Sequence, residues 1–199
     1  FDFNIDGIYF RNKNFTSRNQ IQNLDELFFA YPQLKNSEDD KTENHICQEE
    51  SLDVNNRIFY YESSRGCPFR CSYCLSSIDK SVRNRSLEKV FEDLKIFLDA
   101  KVKLVKFVDR TFNLNEERTI AIWNFIKENH NGITMFHFEI AAQQLSEKML
   151  QAIKGFPKGI MQFEIGIQST NEKTLDAIGR PANLTKLVKK IKQIPKTIH

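Results

Sequence analysis

From residue 57 onward, apolar segments with the spacing of strands and of helices alternate four times. The predicted strands cover 58–63, 103–109, 133–141 and 159–169. Successive strands that are separated by a helix are almost always joined by a right-handed crossover and lie parallel. We therefore predict an α/β fold built on a parallel sheet.

The predicted helices carry apolar residues at intervals of three and four positions. They cover 86–100, 115–132, 146–155, 171–179 and 183–194. Ser86 and Asn115 precede the first two helices, where a polar side chain can accept a hydrogen bond from a free backbone N–H. We expect these two residues to be N-caps, and we expect Arg180 and Pro181 to separate the last two helices.

The last two predicted strands each have one apolar face and one polar face. The alternating sets are Phe136, Phe138 and Ile140 against His137, Glu139 and Ala141, followed by Met161, Phe163, Ile165 and Ile167 against Gln162, Glu164, Gly166 and Gln168. A parallel sheet with helices on both sides should be apolar on both faces, and buried unpaired carboxylates are costly. The pattern therefore favours a partial (βα) barrel whose polar inside binds a ligand at the carboxyl ends of the strands.

Three cysteines, Cys67, Cys71 and Cys74, follow the first predicted strand in one short loop. Disulfides within this loop would close only very few residues, so a metal or redox role is favoured. A structural zinc ion would need a fourth ligand such as Cys47 or a histidine, and an electron-transfer 4Fe–4S cluster also uses four cysteines. Three thiolates on a 4Fe–4S cluster would instead leave one iron open to a chelating ligand. The residues alone leave these three alternatives open.

The stretch RGCPFRCSYC (65–74) lies at the end of the first strand of a βα series. With Tyr73 before the third cysteine, it resembles the radical S-adenosylmethionine enzymes, and the resemblance covers 57–199. It implies that Cys67, Cys71 and Cys74 bind a 4Fe–4S cluster whose open iron is chelated by S-adenosylmethionine. It also implies an oxidoreductase-type reaction in which one electron, from a donor such as flavodoxin or ferredoxin, yields a 5′-deoxyadenosyl radical that abstracts hydrogen from substrate.

The same resemblance implies roles for five further residues in binding S-adenosylmethionine. Tyr73 would lie beside the adenine, and Glu139 at the methionine end. Gln168 would lie near the ribose, and Arg180 would pair with the methionine carboxylate through a forked hydrogen bond. Asp109 stands where the family usually has a small glycine-rich motif, and would take over its contact with the methionine amino group. The strands that carry Glu139 and Gln168 look like those of the oxygen-independent coproporphyrinogen oxidase branch.

Residues 1–56 are predicted to be a connector, with a small hairpin near the start and a polar linker over 35–56. The segments 5–12 and 24–32 resemble the connector that follows a cobalamin-binding domain in cobalamin-dependent members. Such members are often described as similar to the anaerobic magnesium-protoporphyrin monomethyl-ester oxidative cyclase. The resemblance implies cobalamin bound by a domain upstream of Phe1, with oxidative cyclase-like or methyltransferase-like chemistry on an unidentified small molecule.

The chain covers about four of the six βα units that the resemblance implies. We expect an open sheet edge through which two copies could associate, and we expect this fragment to be inactive. The net charge of +3 does not indicate nucleic-acid binding. No apolar run has the length of a membrane span and no signal peptide begins the sequence, so we expect a cytoplasmic protein, and the composition suggests a bacterial one.

Overall fold

The computed structural model describes residues 19–34, 54 and 56–198. The strands of this part of the chain are β1 (Ile58–Tyr61), β2 (Ser64–Arg65), β3 (Arg83–Asn84), β4 (Leu104–Phe107), β5 (Met135–Ile140) and β6 (Met161–Ile165). Its helices are α1 (Leu87–Asp99), α2 (Glu116–Asn129), α3 (Glu147–Ala152), α4 (Glu172–Ala177) and α5 (Leu184–Lys192). The predicted hairpin near the start and residues 35–53 and 55 of the predicted linker lie outside the described residues.

The main sheet has four parallel strands in the order β1-β4-β5-β6. Its register aligns Tyr60 with Lys106, Lys106 with His137, and His137 with Gln162. These four side chains form one transverse row on the polar face, because residues in register project to the same side of a sheet. The predicted α/β fold with a partial parallel barrel is confirmed.

The apolar face of the sheet is packed under helices. Phe136 and Phe138 have no exposed surface, and neither has Trp123 of α2. The Trp123 ring lies 6.4 Å from that of Phe138, and the Phe97 ring of α1 lies 6.0 Å from that of Phe59. The helices thus cover one side of the sheet, as the alternation of apolar residues predicts.

Both predicted N-caps are confirmed. The Ser86 hydroxyl accepts a hydrogen bond from the Lys89 N–H, and the Asn115 side chain accepts one from the Arg118 N–H. Each satisfies one of the backbone donors that a helix leaves free in its first turn.

The first predicted strand ends earlier than expected, at Tyr61 instead of residue 63. The Ser63 N–H donates to the Asp109 side chain and the Ser63 carbonyl accepts from the Arg85 N–H, so neither group can join the main sheet. The chain instead pairs β2 with β3 in a small antiparallel ladder. This ladder closes the base of the cysteine loop (residues 66–82).

The connector segment (residues 19–34) packs beside β1 and contains two short 3-10 turns, Leu24–Glu26 and Pro32–Leu34. The Tyr31 hydroxyl accepts a hydrogen bond from the Tyr60 N–H and donates one to the Tyr60 carbonyl. This side chain therefore pairs with the outer edge of β1, where a strand would otherwise expose its backbone. None of the helices in the described residues is long and apolar enough to cross a membrane.

Candidate functional site

A cavity of about 220 Å³ opens at the carboxyl ends of the sheet strands. Its walls come from the cysteine loop, from the ends of β5 and β6, and from the residues that follow β4 and α4. Seven of the eight site residues predicted from the sequence line it: Cys67, Cys71, Tyr73, Cys74, Glu139, Gln168 and Arg180. Five separate stretches of the chain thus contribute to one site, as expected for an α/β fold.

The three thiols of the cysteine loop are free and differ in exposure. Cys67 and Cys71 are buried, whereas Cys74 is partly exposed. The Cys67 N–H donates to the Asp79 carbonyl at 2.8 Å, and the Cys74 N–H donates to the Cys71 carbonyl at 3.1 Å. Backbone hydrogen bonds therefore shape the loop around the sulfur atoms.

Gly66 allows the two arms of the cysteine loop to approach each other. Its φ of +98° lies in the left-handed region that side chains disfavour. A Cβ at this position would lie 2.2 Å from the Ser81 carbonyl oxygen, which is too close for any side chain. A glycine is required here because the backbone of one arm takes the space of a Cβ immediately before Cys67.

The end of α4 carries Arg180 to the cavity by docking on the cysteine loop. The Ser72 N–H donates to the Ile178 carbonyl at 3.0 Å. Gly179 has a φ of +71°, and a Cβ there would lie 2.8 Å from the Arg70 carbonyl oxygen. The Arg180 guanidinium then donates to the Gly166 carbonyl at 3.0 Å, which fixes it at the end of β6.

The strand predicted over 159–169 ends at Ile165, and Gln168 lies in the segment that follows it. Its φ of +72° is unusual for a residue with a side chain. Its side-chain nitrogen would lie 2.3 Å from a Cβ at Gly166, so the amide folds back over that glycine. Backbone strain of this kind is concentrated at binding sites, where the surrounding structure holds it.

A cluster of ionisable side chains lies on the polar face of the sheet beside the cavity. The Lys106 ammonium lies 3.2 Å from Glu164 and 3.6 Å from Glu139, and the His137 Nε2 lies 3.4 Å from Glu164. Burial would lower the pKa of Lys106, but its hydrogen bond and ion pairs with the two glutamates raise it. Burial and the Lys106 charge lower the pKa of His137 below its usual value. This group of ionisable side chains therefore holds one cation, Lys106, between the carboxylates of Glu139 and Glu164.

Asp109 does not line the cavity, although the resemblance predicts that it contacts the cofactor. It is 1% exposed, and its carboxylate accepts hydrogen bonds from the Ser63 N–H, the Ser63 hydroxyl and the Ser64 hydroxyl at 2.6–2.8 Å. Burial raises its pKa, although these donors oppose the shift. Asp109 thus anchors the chain that leads into the cysteine loop, where its oxygens already have donors, and its contact with the cofactor stays a prediction.

Other residues of the cavity were not singled out by the sequence. Arg110 and Thr111 line it directly after Asp109, and Ser76 lines it from the cysteine loop. The Thr111 hydroxyl lies 3.9 Å from the Cys67 sulfur. Arg110 and Thr111 could have been found from their position just beyond the carboxyl end of a predicted strand.

The donor set in the cavity fits a 4Fe–4S cluster. Three unpaired thiols from one loop face a single cavity, and thiolates are the usual ligands of such clusters. Within residues 19–34, 54 and 56–198, no group of three or more His, Cys, Asp or Glu side chains could hold a single metal ion. A cluster takes each cysteine on a different iron and does not require the sulfur atoms to converge on one ion.

The sequence signature of the Radical SAM superfamily matches residues 61–198. The chain belongs to the radical S-adenosylmethionine superfamily. Membership implies a 4Fe–4S cluster and S-adenosylmethionine as cofactors, and it confirms the prediction of the family and of these two cofactors. The matched residues run from the last residue of β1 to the residues after α5 and include the whole cavity.

Curated relatives carry the names of methyl- and methylthiotransferases. An uncharacterised methyltransferase of Pyrococcus horikoshii is 35% identical over 121 residues, which are 59% of this chain and 26% of the relative. A putative methylthiotransferase of Methanocaldococcus jannaschii is 25% identical over 142 residues, which are 67% of this chain and 31% of the relative. The chain therefore spans about a quarter to a third of the length of these relatives.

A solved structure shares the fold. It is the radical S-adenosylmethionine methyltransferase TsrM of Kitasatospora setae with tryptophan and a cofactor analogue bound, with a TM-score of 0.57 and 14% identity over 69% of this chain and 28% of that chain. Another structure of TsrM holds cobalamin and a 4Fe–4S cluster. At this identity the likeness establishes the fold, and it agrees with a partial radical S-adenosylmethionine barrel.

Proposed function

We propose that Cys67, Cys71 and Cys74 hold the 4Fe–4S cluster in this cavity and that the whole protein is a radical S-adenosylmethionine methyltransferase. The observation that carries the proposal is that the three cysteines and Tyr73 of one loop share a cavity with Arg180, which follows α4. When bound, the cluster supplies one electron for cleavage of a carbon–sulfur bond of S-adenosylmethionine.

The charges of the cavity suit the amino-acid end of S-adenosylmethionine. That end carries an ammonium group and a carboxylate. Glu139 and Arg180 line the same cavity with opposite charges, so Glu139 would accept from the ammonium group and Arg180 would donate to the carboxylate. The Tyr73 side chain is 54% exposed and presents a ring on which adenine can stack. Gln168 would contact the ribose.

The names of the relatives support methyl transfer as the reaction class. The cobalamin in TsrM supports a cobalamin-dependent reaction. The resemblance of the connector implies that a domain preceding the barrel would bind this cofactor. The likeness to the oxidative cyclase group rests on the connector sequence and on the stretches 60–77 and 106–113. An electron donor of the flavodoxin or ferredoxin type and an unidentified small-molecule substrate complete the proposal. In the 199-residue chain, the open sheet edge at β6 would serve for association of two copies.

Anaerobic reconstitution with iron and sulfide, followed by electron paramagnetic resonance of the reduced protein, tests the proposal. We expect a 4Fe–4S signal that changes when S-adenosylmethionine is added. Cys67→Ala, Cys71→Ala and Cys74→Ala should each lose the cluster, because each removes one thiolate ligand. Cys47→Ala is the matched control and should retain both the iron content and the signal.

Two results would replace the proposal by one of its alternatives. Loss of the cluster in Cys47→Ala, with a signal that ignores S-adenosylmethionine, would indicate a four-cysteine electron-transfer centre. Colourless protein with stoichiometric zinc and no iron would indicate a zinc-stabilised domain.

A further inference from the structure

We propose that Arg83 is a positioning residue that couples Cys67 to the connector segment. The assignment of Cys67 as a cluster ligand comes from the proposed function, and the inference rests on it. The coupling itself is a property of the polypeptide, and it can be measured in the protein without a cluster.

Arg83 joins two parts of the chain that are far apart in sequence. Its Nη1 donates to the Ile21 carbonyl of the connector segment at 2.9 Å, across 62 positions. Its Nη2 pairs with the Asp79 carboxylate in the cysteine loop. The Asp79 carbonyl in turn accepts the Cys67 N–H at 2.8 Å. A continuous chain of contacts therefore runs from Ile21 through Arg83 and Asp79 to Cys67.

The Arg83 side chain of this pair is shielded from solvent, whereas the Asp79 side chain is 29% exposed. Arg83 is 8% exposed. The Arg83 Nε and the Asp79 Oδ1 are buried and have no hydrogen-bond partner among the described residues. Removal of the Asp79 side chain would leave Arg83 as a poorly solvated charge, which is strongly unfavourable. Removal of the Arg83 guanidinium would leave the partly exposed Asp79 carboxylate without its cation and the Ile21 carbonyl without its donor. In either case the contact that holds the Asp79 end of the cysteine loop is lost, so this end of the loop should open more often.

The connector segment provides a firm support for Arg83. The Arg85 guanidinium donates to the Leu24 carbonyl at 2.7 Å, to the Leu27 carbonyl at 3.0 Å and to the Asp93 carboxylate of α1 at 2.9 Å. The Asp25 side chain accepts the Ser86 N–H at the start of α1. The segment is thereby fixed to β3 and α1 at several points, so its Ile21 carbonyl has a defined place for Arg83 to bind.

The other two cysteines are held by a different part of the structure. The Ser72 N–H, next to Cys71, donates to the Ile178 carbonyl at the end of α4, and Cys74 is tied to Cys71 by a backbone hydrogen bond. Neither contact involves Arg83 or the connector segment. Loss of Arg83 should therefore free Cys67 more than Cys71 or Cys74, and this difference identifies the coupling.

The experiment measures the alkylation rate of each cysteine by N-ethylmaleimide in the cluster-free protein, with peptide mass spectrometry. We compare the wild type with Arg83→Gln and Arg83→Lys. The lysine keeps the charge, but its single ammonium cannot replace the planar fork that reaches both partners. Both variants should raise the Cys67 rate by about tenfold relative to Cys71, the factor that loss of about 1.4 kcal/mol of local stability produces.

Arg65→Gln is the matched control. Arg65 lies directly opposite Arg83 in the β2–β3 ladder, but its side chain is 37% exposed and pairs with Glu62. This variant should leave all three rates near their wild-type values. Asp79→Asn should reproduce the effect of Arg83→Gln, and the double variant should show less than the product of the two fold-changes because both remove one interaction.

Two outcomes would overturn the inference: an unchanged Cys67 rate in both Arg83 variants, or an equal rise at all three cysteines, which would give Arg83 only a general role in folding. In the reconstituted protein, Arg83→Lys should alter the cluster's paramagnetic resonance signal, whereas Arg65→Gln should not. If the wild type takes up no cluster but the alkylation difference is present, the proposed function fails and the coupling stands.

Discussion

The two faces of the main sheet are built from alternate residues of the same strands, yet they differ in almost every physical respect. On the apolar face the Phe107 and Phe138 rings lie 4.5 Å apart under the helices. On the polar face Lys106 and His137 contact Glu164 beside the cavity. Adjacent residues of one strand therefore lie on opposite faces, one in the packed core and the next beside the cavity.

The difference between the two faces indicates which side chains stabilise the fold and which ones serve the site. Burial of aromatic side chains stabilises a fold in proportion to the apolar area removed from water, about 25 cal/mol per Å². Partly exposed ion pairs contribute on the order of 0–1 kcal/mol. The apolar face should therefore contribute most of the free energy of unfolding. Substitutions on the polar face should change the site with little loss of stability.

The largest effect is expected from Phe138→Ala on the apolar face. Phe138 is completely buried, so its truncation should lower the free energy of unfolding by about 3–5 kcal/mol through lost burial and the cavity left behind. Urea denaturation measures the change. Tyr60→Ala is the control on the polar face, where this side chain is 53% exposed, and it should cost no more than about 1 kcal/mol. Equal losses in Phe138→Ala and Tyr60→Ala would show that the two faces contribute equally to stability.

Asp109→Asn should have the next largest effect. The amide keeps the size of the carboxylate but turns one acceptor oxygen into a donor that faces the Ser63 and Ser64 hydroxyls. We expect a loss of about 1–3 kcal/mol in the free energy of unfolding. The exposed Asp176→Asn is the control and should change little. A neutral Asp109→Asn would show that the anchor contributes nothing to the fold.

Lys106→Met separates charge from stability on the polar face. The free energy of unfolding should change by no more than about 1 kcal/mol. The pKa of His137 should rise, because Lys106 lowers it whereas Glu164 and Glu139 raise it. Titration of the imidazole by nuclear magnetic resonance measures this shift. Lys95→Met, on the exposed side of α1, is the control and should leave that pKa unchanged. A fall in the pKa of His137 would contradict the assignment of Lys106 as the cation that lowers it.

The smallest effect is the pH dependence of stability that comes from His137. Its folded-state pKa lies below the value of about 6.5 that it has in an unfolded chain, so the unfolded state binds more protons near and below that pH. Its contribution is fully present above the unfolded pKa and is lost as the pH falls from there through the folded pKa. Urea denaturation across this range should show a smaller decrease in His137→Gln than in the wild type. An identical decrease in both proteins would assign the dependence to other groups.

The sequence by itself determined those features that depend on neighbours along the chain. Apolar and polar residues that alternate with a period of two predicted the two faces of β5 and β6. Polar residues before the helices predicted N-caps such as Ser86. The cysteine spacing, with Tyr73, led to the superfamily that the comparison then established. These features are local because a few consecutive residues settle the backbone conformation and the chemistry they carry.

Only the tertiary structure decided which distant residues meet. Asp109 follows a strand that ends at the cavity, yet it turns beneath the cysteine loop because Ser63 and Ser64 supply its donors there. Arg83 meets Ile21 across 62 positions, and Lys106 meets Glu164 across 58. Partners at such separations are chosen by packing and burial of the whole fold, where an ionised group must find a counterpart once water is excluded.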